Sequence, residues 1–384
     1  QTGISCPASC VRPIDPTDNW HTTHTIRSLF VNKKSLYRFI DVIHCYGLFV
    51  DNSCTCGPNN ATFNALPARG RTATGDNTVL PQRLPVNNVF PIRYIEPVFR
   101  PPSEAHSLIL PVTNGCSWNK CTYCEMYTAP QKKFALRDED ETLRSIERSG
   151  ELFGTQVTRV FLGDGDAMAL STRRLMAVLH AIRTHMPQVR RISTYCLPRN
   201  VRNKTVAELT ELREAGLQLA YVGAESGDDV VLQKVNKGET YDTTADALTK
   251  LGEAGITRSV MLLNGLGGKV YSQQHALNSA RLVNATQPEF LATLVVSFPK
   301  GEERFRAQFP EWQACELPDL FAEMAQFLQA TELKRTVFRS DHASNWLVLK
   351  GTLGAEKARM LAQVHTAIEQ PHNAGLRPAW ARAL

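Results

Sequence analysis

The chain has 384 residues, 43% hydrophobic and 21% charged, with a formal net charge of +6. Lys and Arg are interleaved with Asp and Glu, so no basic tract marks a nucleic-acid surface, and no apolar run reaches the ~20 residues that cross a bilayer. These figures predict a folded cytoplasmic protein of one large domain or two, without a clear nucleic-acid or membrane partner.

Residues 1 to about 85 mix Pro, Asn, Thr and Cys, and only Ser28 to Val50 could form an ordered element. No secretory signal is recognisable there, whereas an organelle transit peptide stays open. The chain opens on Gln1 and has no methionine before Met126, which reads as a fragment or an unusual start. This segment is expected to be irregular and outside the catalytic unit. Its Cys6, Cys10, Cys45, Cys54 and Cys56 show no regular ligand pattern.

From about residue 105 apolar runs alternate with helical periodicity. Strands are predicted at Leu108–Val112, Val157–Leu162, Arg191–Cys196, Leu217–Gly223, Ser259–Leu263 and Phe290–Phe298. Between them helices are predicted at Asp138–Phe153, Thr172–His185, Thr205–Ala215, Thr243–Ala254 and Ser272–Ala285. Strands joined by helices of this length make right-handed parallel crossovers. The fold class is therefore α/β, a partial (β/α)6 TIM-type barrel over residues 95–300, followed by C-terminal helices and a barrel-closing extension over 301–384.

The first strand runs into Cys116, Cys121 and Cys124. Three thiolates at such short spacing suit an iron-sulfur cluster, and the next cysteine is only at Cys196. One iron would thus lack a protein ligand. A structural zinc site would normally take four ligands, and core cysteines would not sit among Gly115, Asn119, Lys120 and Thr122. Chemistry in such barrels gathers at the carboxyl ends of the strands. The glycine- and acid-bearing segments Gly163-Asp164-Gly165-Asp166, Gly223-Ala224-Glu225-Ser226-Gly227 and Asn264-Gly265-Leu266-Gly267-Gly268 all fall there, as does Arg199. Each could also be an ordinary turn or helix cap.

Over about Ile95 to Glu369 the chain resembles the radical S-adenosylmethionine (radical SAM) superfamily. The resemblance implies a 4Fe-4S cluster on Cys116, Cys121 and Cys124, with S-adenosylmethionine on the open iron, although the first cysteine gap is one residue longer than the commonest spacing. It further implies Tyr123 near the adenine, and Gly163, Asp164, Gly165 and Asp166 at the methionine amino group. Glu225 and Ser226 would meet the ribose or methionine moiety, and Arg199 is a candidate for the carboxylate. Glu96 to Pro102 and Val337 to Trp346 are similar to segments of a group of small radical SAM proteins. In the second, Arg339, His342 and Asn345 are substrate-side candidates, His342 because its charge changes near neutral pH. The partners implied are a small-molecule substrate and an electron donor such as ferredoxin or flavodoxin. Signatures of methylthiotransferases, peptide maturases and cobalamin-dependent members are not found. A metal protein for electron transfer or scaffolding, without radical chemistry, is the alternative.

Overall fold

The computed structural model describes residues 90–382, so the expectations for residues 1–85 lie outside the described residues. Strand β1 (Leu108–Pro111) leads into a small antiparallel hairpin, β2 (Thr113–Asn114) with β3 (Ala135–Leu136), which brackets the cysteine loop. Then come β4 (Arg159–Gly163), β5 (Arg191–Cys196), β6 (Leu217–Glu225), β7 (Thr257–Asn264) and β8 (Phe290–Val295). With β1 they form six neighbouring parallel strands in chain order. Two further strands, β9 (Val337–Ser340) and β10 (Leu349–Thr352), extend the sheet beside β8, the first parallel and the second antiparallel. Among the described residues β1 and β10 end the strand order and do not pair with each other, which leaves the barrel partial.

The helices are α1 (Glu139–Phe153), α2 (Thr172–His185), α3 (Pro198–Val201), α4 (Val206–Ala215), α5 (Asp229–Lys234), α6 (Tyr241–Glu253), α7 (Gly268–Thr286), α8 (Glu303–Gln308), α9 (Leu317–Ala330) and α10 (Lys357–Glu369). Polar caps set several starts: Asp138 accepts from Glu141 N, Ser171 from Arg174 N, and Thr205 forms a reciprocal box with Glu208. The expected Asp138 and Thr205 starts are thus capping residues one position outside the helix. Helices α1, α2, α4, α6, α7, α9 and α10 pack neighbour on neighbour over the sheet.

Alternation along the strands sorts residues between two faces. Leu110, Val160, Leu162, Ile192, Val222, Val260 and Leu291 join Leu175, Leu179, Leu209, Leu248 and Val283 of the helices in one buried core. On the other face, Phe161, Tyr195 and Tyr221 meet edge to face, with ring centroids 5.1 Å apart for the first two. Such pairs add about 0.5–1.5 kcal/mol each beyond area burial. Beneath them Glu104, fully buried, accepts from Tyr221 Oη at 2.6 Å and pairs with Arg191 at 2.8 Å.

At the start of β7, buried Arg258 ties the strand to the helical layer. It donates to Leu248 O, Thr286 O and Gln287 O and pairs with Glu289 at 2.6 Å. Removing it orphans those carbonyls, so Arg258→Ala is expected to lower stability by about 3 kcal/mol, read as a fall in the urea midpoint at constant slope.

Candidate functional site

The cysteine loop begins at a close approach of two backbones. Gly115 has φ +72° and Gly165 φ +105°, and a Cβ on Gly165 would overlap Gly115 O. Only glycine fits there, and the contact sets the segment after β4 against the loop. Asp166, buried, accepts from Ser117 N at 3.0 Å on Oδ1, and on Oδ2 from the Ser117 hydroxyl and from Asn200 Nδ2, the latter at 3.1 Å. Burial pushes its carboxyl up, partly offset by those donors.

Asp164 is held more tightly still. It forms a buried ion pair with Lys132, accepts from Tyr127 Oη at 3.2 Å and receives Phe99 N at 3.5 Å. Lys132 Nζ also donates to Ile95 O, and Phe99 packs edge-on against Tyr127. The Glu96 to Pro102 segment is therefore bolted beneath the loop. Both acids of the Gly163 to Asp166 segment are engaged with protein groups.

The thiols share one loop and one electrostatic neighbourhood. Cys116 accepts from Asn119 N at 3.4 Å, and burial raises the Cys116 thiol and pushes Cys124 up to about 11. Among the described residues, no group of three or more His, Cys, Asp or Glu is already positioned to hold a metal ion. Tyr123, between the last two cysteines, is half-buried beside Glu225 and Cys121, and the burial of its hydroxyl holds it well above the usual range.

The cation facing this loop is one the sequence pattern did not single out. Lys237, 4% exposed, lies 3.2 Å from Glu225 Oε1, 5% exposed, at the end of β6. Burial alone would pull Lys237 down, but Glu225, then Cys121 and Cys124, hold it above its ordinary value. Glu225 has φ +66°, and its buried Oε2 has no hydrogen-bond partner among the described residues. Arg199, the expected cation, is otherwise engaged: it pairs with Glu239 at 2.7 Å, donates to Gly238 O and stacks 3.9 Å over Trp118. Trp118 Nε1 in turn donates to Asn236 O at 2.8 Å, which ties the loop to the turn carrying Lys237. Ser226 is fully buried and faces away, bonded to His275 Nδ1 at 2.8 Å.

A second missed group reaches the loop from beyond β8. Arg304 of α8 donates to Cys121 O at 2.6 Å, to Thr122 O at 3.2 Å and to Cys124 O. Lys300 N bonds Glu125 Oε2 at 3.2 Å, and Lys300 Nζ reaches Thr128 Oγ1. No local spacing links these residues to the cysteines. Lys237, by contrast, sits between positive-φ Asn236 and Gly238, a turn signal that could have been read.

The expected C-terminal candidates are used differently. Asn345 is buried and donates to Thr293 O at 2.9 Å, strapping the segment to β8. Ser344 N donates to His342 Nδ1 at 3.1 Å, so His342 holds its proton on the other nitrogen, and burial with Arg377 lowers its pKa. Arg339 is exposed and donates only to Phe338 O among the described bonds. None of the three bonds the cysteine loop among the described interactions.

Residues 110–283 match the family model of the Radical SAM superfamily. The heme chaperone HemW of Bacillus subtilis (strain 168) is 22% identical over 172 residues, which cover 43% of this chain and 45% of that protein. The chain thus spans less than half the length of that curated relative. Among solved structures, coproporphyrinogen III oxidase (HemN) from Escherichia coli is 17% identical, with a TM-score of 0.45, covering 58% of this chain and 52% of its own. Methylornithine synthase (PylB) is 16% identical, with a TM-score of 0.41, covering 59% and 63%. Residues 110–283 are thus similar to the domain of a superfamily of enzymes that use a 4Fe-4S cluster and S-adenosylmethionine.

Proposed function

We propose that Cys116, Cys121 and Cys124 hold a 4Fe-4S cluster and that the chain uses S-adenosylmethionine on its open iron to start a radical reaction on a small molecule. One observation carries the reading: the Cys121 and Cys124 thiols neighbour a buried Lys237–Glu225 pair, and Glu225 Oε2 is unpartnered among the described residues. A buried carboxylate oxygen without a donor is rare, and a bound ligand with a hydroxyl or ammonium group would satisfy it. The donor set also fits, since the loop offers three thiols and no histidine.

When bound, the cluster supplies the electron that splits S-adenosylmethionine into methionine and a 5'-deoxyadenosyl radical, which takes a hydrogen atom from the substrate. The protein's part is binding and orientation. Lys237 is the cation that would receive the methionine carboxylate, in place of Arg199, and Glu225 would accept from the ribose or amino end. Tyr123 would line the adenine. With Asp164 and Asp166 held by Lys132 and Ser117, the segment after β4 would contribute its backbone at Gly163 and Gly165. The reducing electron is assigned to a ferredoxin- or flavodoxin-like donor.

Anaerobic reconstitution, then reduction by dithionite with S-adenosylmethionine, is expected to yield 5'-deoxyadenosine. Iron binding without that product would favour a cluster protein lacking radical chemistry, and zinc in place of iron would point to a structural site. Lys237→Ala should weaken S-adenosylmethionine binding about tenfold, the loss of one charge-assisted contact, with iron content unchanged. Arg304→Ala loosens the loop from outside and should cut iron retention against a chelator about tenfold, as loss of supporting contacts does at metal sites, while the melting temperature changes little.

A further inference from the structure

A cavity of about 240 Å³ lies at the carboxyl ends of β7 and β8, the end of the sheet that carries the cysteine loop. Its walls include Gly265, Val295, Phe298, Glu302, Trp312 and Cys315. They are firmly built. Gly265 N donates to buried Glu323 at 2.6 Å, and Val296 N to Asn264 O at 3.0 Å. Phe298 packs on Phe305 and Trp312, with ring centroids at 4.6 and 5.6 Å. Gly265 has φ +81°, and a side chain there would meet Leu320, so its backbone lines the space directly.

This wall is continuous with the cysteine loop. Tyr123 packs on the same apolar cluster as Phe298 and Val296, and Lys300 and Arg304 bond the loop from within the same stretch of chain. Charge narrows the chemistry of a molecule in the cavity. Glu302 lines the space and shares its carboxylate with Arg306, Glu323 lies behind Gly265, and Asp319 and Glu316 share Lys269. Glu302 is the charged residue among those lining the space, and Arg306 backs it, 5.1 Å over the Trp312 ring. The Cys315 thiol registers the acids behind the wall: burial first, then Glu323 and Asp319, push it up to about 12 against the pull of Lys269.

We propose that this cavity binds the molecule on which the enzyme acts, and that its ligand is a small amine with an apolar body against Phe298 and Trp312 and a cationic head toward Glu302. The radical-enzyme reading underlies the chemistry after binding, whereas binding itself rests on the cavity alone. An anion would meet Glu302 with no lysine or arginine among the lining residues, and a tetrapyrrole is too large for the space.

The test uses the reconstituted full-length chain and three probes of matched size, phenethylamine, acetophenone and phenylacetate, by calorimetry. Phenethylamine is expected to bind about tenfold tighter than phenylacetate, the worth of one charged contact. Glu302→Gln should erase most of that preference, and Cys315→Phe, which fills the space, should abolish binding with iron content and far-ultraviolet dichroism unchanged. Equal binding of the acid, no binding of any probe at millimolar concentration, or binding that survives a folded Cys315→Phe overturns the proposal. Should Cys315→Phe fail to fold, an unchanged amine preference in Glu302→Gln overturns it instead. Formation of 5'-deoxyadenosine, followed in parallel, separates the two readings: cleavage without probe binding sinks only the cavity, and binding without cleavage sinks the radical reaction and leaves a ligand site.

Discussion

Neither partner of the Lys132–Asp164 ion pair reaches solvent, and taking two charges out of water costs several kcal/mol per ion unless each is fully satisfied. Here the remaining valences are met by Tyr127, Phe99 N and Ile95 O. The pair therefore persists only while the hairpin, the segment after β4 and the stretch around Glu96 stay together. The cysteine loop has little core of its own. Its shape is imposed from outside by that knot, by Asp166 on Ser117, by Trp118 on the Asn236 turn and by Arg304 on three carbonyls. Loosening one support leaves the others, but losing the knot would free the loop at its root.

The same logic explains which residues are left for a ligand. Asp164, Asp166, Arg199 and Ser226 look available when read along the chain, because short polar residues and charges at strand ends usually meet substrate. In three dimensions each has been spent on holding a neighbour. Among the described residues around the loop, backbone at glycines and one oxygen of Glu225 stay uncommitted. Side chains that fix the cavity and atoms that face into it are separate groups, as preorganisation requires.

Strand and helix placement was legible because period and capping act locally: Arg191–Cys196 and Thr172–His185 lie where the pattern puts them. Ends shifted where tertiary contacts intervene. β6 runs on to Glu225 through a register shift, and β8 stops at Val295 because Val296 and Phe298 leave to pack with Phe305 and Trp312. The two-residue strands β2 and β3 and the short β9 and β10 carry too few alternations to be read. The cysteines were legible from spacing. Arg304 and Lys132 were not, since their roles depend on where the chain returns, and Lys237 gave only its turn.

Among the described residues the sheet stops short of closure and ends at β1 and β10, and each such edge is an invitation for another chain to add a strand. In this protein both invitations are withdrawn. On β1 the Tyr94 hydroxyl already donates to Ile109 O, and Pro111 has no amide to offer. On β10 the run is four residues long, with Lys350 held toward Asp341 and a glycine beside it. Short, charged and interrupted edges are how sheets resist aggregation. Among the described residues the gap in the barrel is thus guarded against other strands.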